Sequence, residues 1–193
     1  MKNALCLGTF DGVHIGHRQV LSLPDDCRKI AVTFVKSPKS VISGVCEAIL
    51  TFEDKCRLLK KAGIDEIYPL EFQKVRDIPA DEFLNLLYKK YNPAVVSCGF
   101  NYSCGKNGEG NTKLLSDFCR DKGIELKCVA PVTVDGETVS STIIRNYLKN
   151  GETERANALL FESFSFTAPV KKGDQRGRTI GFPTINQQYP KEL

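Results

Sequence analysis

Apolar runs bounded by turn residues alternate along this chain with segments of helical spacing. Residues 3–7, 29–34, 66–70, 94–98 and 125–129 read as strands. Between them, residues 53–62 place Cys56, Leu58, Leu59 and Ala62 at helical intervals and stop at Gly63, and residues 80–91 do the same with Phe83, Leu84, Leu86 and Leu87 before Pro93. A third helix is predicted from 112 or 113 to 122, ended by Gly123, and a fourth over 140–150, with Ile143, Ile144, Tyr147 and Leu148 inside and Gly151 after its end. Strands alternating with helices predict an α/β fold with a parallel sheet.

After about Leu160 the texture changes. Phe164-Ser165-Phe166-Thr167-Ala168-Pro169-Val170 leads into the turn-rich Lys172-Gly173-Asp174-Gln175-Arg176-Gly177-Arg178 and then residues 179–186, which read as the opening of a separate β domain. We therefore expect one domain over 1–157 and the start of a second over 158–193, an incomplete β-barrel segment.

Composition narrows the class of function. With 41% hydrophobic and 26% charged residues the chain belongs with ordinary globular proteins. No run approaches the roughly 20 apolar residues that cross a bilayer, and Gly8 interrupts the start before a signal core forms, so no membrane association and a cytoplasmic location are expected. A net charge of +4, with lysines scattered rather than striped with aromatics, gives no support to nucleic-acid binding; small-molecule partners are expected, and a slight positive bias suits polyphosphates. The 8 cysteines contain no C-x-x-C pair, which points to reduced, mostly buried thiols rather than a zinc site.

The first predicted strand runs into Gly8-Thr9-Phe10-Asp11-Gly12-Val13-His14-Ile15-Gly16-His17 and then the amphipathic Arg18-Gln19-Val20-Leu21. A strand feeding a loop that opens a helix is where α/β sheets bind ligands, since helix amides and the positive dipole end face an incoming phosphate. Gly8, Gly12 and Gly16 let the backbone approach a ligand closely. The only 2 histidines of the chain fall in this loop, where imidazoles can donate to phosphate oxygens and bear the charge that develops when a polyphosphate is cleaved. The bland alternative is a satisfied loop histidine at 14 and a helix-capping one at 17. A second constellation is Val139-Ser140-Ser141-Thr142-Ile143-Ile144-Arg145, where Ser141 or Thr142 is expected to cap a helix and Arg145 to offer its guanidinium fork to phosphates; its bland alternative is a cap and a solvated arginine.

Gly-x-Phe-Asp-Gly-x-His-x-Gly-His resembles the signature of the adenylyltransferase half of prokaryotic bifunctional riboflavin kinase/FAD synthetases, and Ser-Ser-Thr-x-Ile-Arg resembles that family's second nucleotide motif. The segment Gly99-Phe100-Asn101-Tyr102-Ser103-Cys104-Gly105 is similar to a family loop of the nucleotide and flavin site, with Cys104 where an aromatic is usual. Thr33-Phe34-Val35-Lys36-Ser37-Pro38 keeps only the frame of the family's Thr-Phe-x-Pro-His-Pro, with Ser37 in place of the histidine, and the interval from His17 to Thr33 is short for the family. Residues 173–186 look like the start of the riboflavin kinase barrel, in which Thr184 and Asn186 would correspond to Mg2+ and ATP ligands. The chain stops at Leu193, before the rest of that barrel, so no kinase activity is expected of it.

The resemblance implies a Rossmann-like nucleotidyltransferase sandwich that transfers AMP from Mg-ATP to FMN, giving FAD and pyrophosphate. His14, His17 and Arg145 would be catalytic, and Gly8, Phe10, Asp11, Gly12, Gly16, Asn101, Tyr102, Ser141 and Thr142 would bind the nucleotides, with Mg2+ entering on the ATP phosphates. Two alternatives stay open: another phosphorylated acceptor, such as phosphopantetheine or a pyridine mononucleotide, or a flavin- or nucleotide-binding module without catalysis.

Overall fold

The computed structural model describes residues 1–191 and 193. β1 (Lys2–Leu7), α1 (Ile15–Leu21), β2 (Cys27–Phe34), α2 (Pro38–Ser43), α3 (Phe52–Lys61), β3 (Glu66–Leu70), α4 (Phe72–Val75), α5 (Ala80–Tyr91), β4 (Pro93–Gly99), α6 (Thr112–Lys122) and β5 (Glu125–Val129) follow one another as strands and crossover helices. A small hairpin, β6 (Thr133–Val134) and β7 (Glu137–Thr138), precedes α7 (Ser141–Lys149) and α8 (Thr153–Leu159). The tail carries β8 (Val170–Lys171), the short α9 (Arg176–Thr179) and β9 (Asn186–Gln187), with β8 and β9 antiparallel.

The five principal strands form one sheet in the order β3-β2-β1-β4-β5, every pair parallel. Prolines sit where they cost no ladder bond: Pro69 is in the edge strand β3 and Pro93 opens β4. Successive side chains of a strand leave opposite faces, and here both faces are covered. Ala4 and Cys6 of β1 join Val20, Leu21, Leu58, Leu59, Ile144 and Ala156 on one side, while Leu5 and Leu7 join Phe83, Leu84, Leu87 and Leu115 on the other. Each fully buried large side chain, such as Leu5, Ile30 or Leu59, contributes about 2 kcal/mol relative to exposure.

Helix ends follow local chemistry. Asn111 Oδ1 accepts from the Lys113 and Leu114 amides at 3.0 Å each to start α6, and Gly123, at φ 67°, ends it in the left-handed region. Ser37, where the related motif has a histidine, starts α2 by accepting the Ser40 amide at 3.1 Å. The buried face of α3 differs from the expected one. Asp54, Lys55, Leu58 and Leu59 are buried and Cys56 is only half-buried, because the helix turns its 54–55–58–59 stripe to the sheet. All eight cysteines are free thiols; Cys6, Cys27, Cys98 and Cys119 are buried, Cys56 and Cys104 half-buried, Cys46 and Cys128 exposed. Among the described residues no helix is long and apolar enough to cross a membrane.

Candidate active site

The strand order reverses at β1 and β4, and a ligand crevice is expected at the carboxyl ends of strands at such a point. A cleft of about 770 Å³ lies there, within the size range of small-molecule sites. Its walls come from the loop after β1 (Gly8, Thr9, Phe10, His14), the end of β2 and α2 (Phe34, Pro38, Ile42), the loop after β4 (Phe100 to Gly105) and the start of α7 (Ser140 to Thr142).

The β1 loop is tightly wound. Phe10, Gly12 and Val13 take positive φ values of 50°, 83° and 40°, a costly conformation for a bulky or β-branched residue and one that collects at functional sites. Phe10 and Val13 are wholly buried, which holds the turn in place. A Cβ on Gly12 would come within 3.0 Å of Ile49 Cδ1, so this position needs glycine for space as well as for φ.

His14 caps α1. Its Nδ1 accepts the His17 main-chain N–H at 3.2 Å, which places the ring proton on Nε2 and leaves Nε2 as the donor. The bland assignment of the capping role to His17 is therefore corrected: His14 precedes the first helical residue and His17 lies inside the helix. The two imidazoles stack with centroids 3.6 Å apart, and the edge of Phe10 meets His17 at 5.3 Å. Burial pushes the His14 pKa down to about 4. Burial also pushes His17 well below the usual histidine value, aided by neighbouring His14 and Lys55. Both rings are thus neutral near pH 7 in the free protein. Among the described residues the buried Nδ1 of His17 has no hydrogen-bond partner, an uncompensated polar atom of the kind that functional sites retain.

The serine motif is positioned differently from expectation. α7 starts at Ser141, so the capping residue is Ser140, whose Oγ accepts the Ile143 amide at 3.3 Å; neither Ser141 nor Thr142 caps. Ser141 Oγ donates instead to the Asp11 carbonyl at 2.8 Å, and Arg145 Nη1 donates to Asp11 Oδ2 at 2.7 Å. The other carboxylate oxygen of Asp11 accepts the Ile49 amide at 2.8 Å. Burial raises the Asp11 pKa, against the pull of the Ile49 amide and the Arg145 charge. Arg145 is not a solvated arginine.

Of the residues singled out in the sequence, Gly8, Phe10, His14, Gly16, His17, Asn101, Tyr102, Ser141 and Thr142 line the cleft; Asp11, Gly12 and Arg145 do not, and Asp11 and Arg145 form the brace between the β1 loop and α7. Thr184 and Asn186 are exposed in the tail, outside the cleft lining.

Sequence reasoning missed two contributors. Glu109 accepts the Ala80 amide at 2.9 Å, and Gly105 and Gly110 let the β4 loop lie against the same residue, where an added Cβ would fall 2.5 Å and 2.6 Å from Ala80 atoms. Lys55, hidden in an otherwise ordinary helix, reaches the β1 loop from α3. The close spacing of three glycines at 105, 108 and 110 was the available signal for the first; Lys55 falling three and four residues before Leu58 and Leu59 was the signal for the second.

Comparison with known proteins agrees with this geometry. Residues 1–143 match the FAD synthetase family model and residues 160–193 the riboflavin kinase model. The chain is 34% identical over 199 residues to the bifunctional riboflavin kinase/FMN adenylyltransferase of Listeria monocytogenes, covering 96% of this chain and 62% of that protein. It is 32% identical over 195 residues to the protein so named from Bacillus subtilis, covering 96% and 61%. The chain thus spans about three fifths of the length of these relatives. A solved structure described as a macrolide-efflux protein from Streptococcus pneumoniae shares the fold with a TM-score of 0.83 at 30% identity, over 97% of this chain and 64% of that one. With a family model matched over residues 1–143 and relatives of 34% and 32% identity covering 96% of it, the chain belongs to the FAD synthetase family.

Proposed function

We propose that the 1–157 portion of this chain is an FMN adenylyltransferase, which joins AMP from ATP to FMN. The observation that carries this reading is the pair of stacked neutral imidazoles at the start of α1, lining a cleft that also holds several large apolar side chains. Phe34, Ile42, Phe72 and Phe100 in that lining suit a flat aromatic acceptor, and the 160–193 match to a riboflavin kinase model supports a flavin.

In this reading ATP lies along the β1 loop and the first turn of α7. His14 Nε2–H donates to a phosphate oxygen, and the glycine-punctuated loop allows close backbone approach. The FMN phosphate oxygen attacks the α-phosphorus, the new P–O bond forms, and the bond from the α-phosphorus to the bridging oxygen breaks to release pyrophosphate. That phosphate is largely dianionic near neutral pH, so no side-chain base is needed and catalysis is positioning plus charge stabilisation. In this reading Mg2+ would enter on the ATP phosphates and offset their charge. Arg145 supports the loop through the Nη1 bond to Asp11, and its Nη2, 3.5 Å from Thr142 Oγ1, stays available as a donor at the start of α7.

The experiment is to incubate the chain with ATP, Mg2+ and FMN. FAD and pyrophosphate should appear in equal amounts. ATP bound but no FAD formed would sink the reading and leave a nucleotide-binding module.

A further inference from the structure

Lys55 is 7% exposed, and its ammonium donates to two main-chain carbonyls, Phe34 O at 2.6 Å and Thr9 O at 3.2 Å. These carbonyls belong to different walls of the cleft. Thr9 lies in the histidine-bearing loop after β1, and Phe34 ends β2 and leads to the Pro38 and Ile42 wall. The sheet itself stops joining them just before this point. The last β1–β2 pair is Leu7 with Val32, followed by one main-chain bond from the Gly8 amide to Val32 O at 3.2 Å. Past it the backbones are tied through side chains, Thr33 Oγ1 donating to Thr9 O at 2.9 Å and Lys55 Nζ reaching both chains.

A lysine is a costly choice for a buried position. Burial pushes its pKa down to about 8, with the Asp11 carboxylate pulling upward. The ring of Phe52, 5.3 Å from Nζ, offers the charge some compensation. Two part-buried carbonyls converging from separate segments need a donor with reach, and an apolar residue here would leave the Phe34 carbonyl without its partner. Lys55 does not line the cleft, and its charge also bears on His17.

We infer that Lys55 is a positioning residue for adenylyl transfer: by tying Thr9 to Phe34 it holds the phosphate-binding loop and the acceptor wall at one spacing. The inference rests on the adenylyltransferase reading of the cleft. Its energetic logic is that reacting groups held by two separate walls lose rate steeply when the walls shift relative to each other.

Two variants and one substrate-free measurement test it. Lys55→Gln removes the charge and shortens the reach, whereas Lys55→Arg keeps charge and several donors. K55Q should raise KM for both ATP and FMN and lower kcat, a combined loss of about a hundredfold, and K55R should recover a large part of it. Amide hydrogen exchange should rise in K55Q for peptides covering residues 8–14 and 33–42 and stay unchanged for β4. Wild-type kinetics and exchange in K55Q overturn the inference, as does a K55R variant no better than K55Q. Exchange that rises evenly across the sheet also overturns it, since Lys55 would then be a core residue and nothing more. If the unaltered chain forms no FAD, the adenylyltransferase reading falls separately, and the exchange pattern still decides whether Lys55 ties the two walls.

Discussion

Asp11 and Arg145, 134 residues apart in sequence, meet in an ion pair of 2.7 Å whose side chains are only 13% and 17% exposed. Through it, and through the Ser141 bond to the Asp11 carbonyl, the β1 loop and α7 are tied together. Asp11→Ala strands the guanidinium and frees the Ile49 amide, and should lower stability by about 2–4 kcal/mol. Asp11→Asn, whose amide oxygen still accepts from Ile49, should lose less. Urea unfolding of both variants checks the order, and equal losses would mean that the bond from the Ile49 amide contributes little beside the lost charge.

His17 and Lys36 offer a direct comparison. His17 lines the cleft, whereas Lys36 is exposed and outside its lining. His17→Ala should cost about a hundredfold or more in turnover, the usual scale for a lost donor at developing charge, and Lys36→Ala little. Similar FAD formation by the two variants would take the histidine loop out of the mechanism.

Acid should destabilise the fold through His14. Its unfolded value is 6.5 and its folded value about 4, so between them the unfolded chain binds the extra proton. The stabilisation is full above pH 6.5 and is lost as the pH falls toward 4, by something on the order of 3 kcal/mol for this group. Burial shifts His17 in the same direction. Asparagine at 14 keeps a capping oxygen without titrating, so His14→Asn should flatten part of the urea midpoint against pH curve. A wild-type curve level across that window would contradict the assignment.

Gly105 and Gly63 share a positive φ, 76° and 91°, but only Gly105 meets a neighbour. A Cβ there would lie 2.5 Å from the Ala80 backbone, while nothing approaches Gly63 within 4 Å. Gly63→Ala should cost about 1 kcal/mol for the backbone conformation alone. Gly105→Ala should cost about 2–4 kcal/mol, adding the clash, and should also raise substrate KM by lifting the β4 loop from α5. Thermal melts and steady-state kinetics on the pair separate strain from displacement.

Much of this molecule was legible because strong periods and strong punctuation coincide. The five sheet strands fall where apolar runs predicted them, within a residue or two, and Gly123 ends α6 as expected. The hairpin β6–β7 was signalled by Asp135-Gly136, whose φ values of 50° and 82° suit a tight turn, yet its strands are two residues long and leave no alternation to read. The helix cap was expected at Ser141 or Thr142, one or two residues late, because the hydroxyls of Ser140, Ser141 and Thr142 are chemically alike on paper. What separates them is the tertiary bond from Ser141 to Asp11, which no local pattern contains. Lys55 escaped for a related reason. A charged residue on a helix is counted with the solvated face, and only the convergence of Thr9 and Phe34 makes its burial worthwhile.

The stretch that follows α8 is sewn into what precedes it. Leu160 forms a bridge with His14, the Phe161 amide donates to Val13 O at 3.2 Å, Glu162 pairs with Arg57 at 3.1 Å, and Thr167 donates twice to Asp54. Anyone wishing to express the portion that matches the FAD synthetase family by itself should place the scissors beyond Thr167, because a shorter piece would unpick these stitches to the histidine loop and α3.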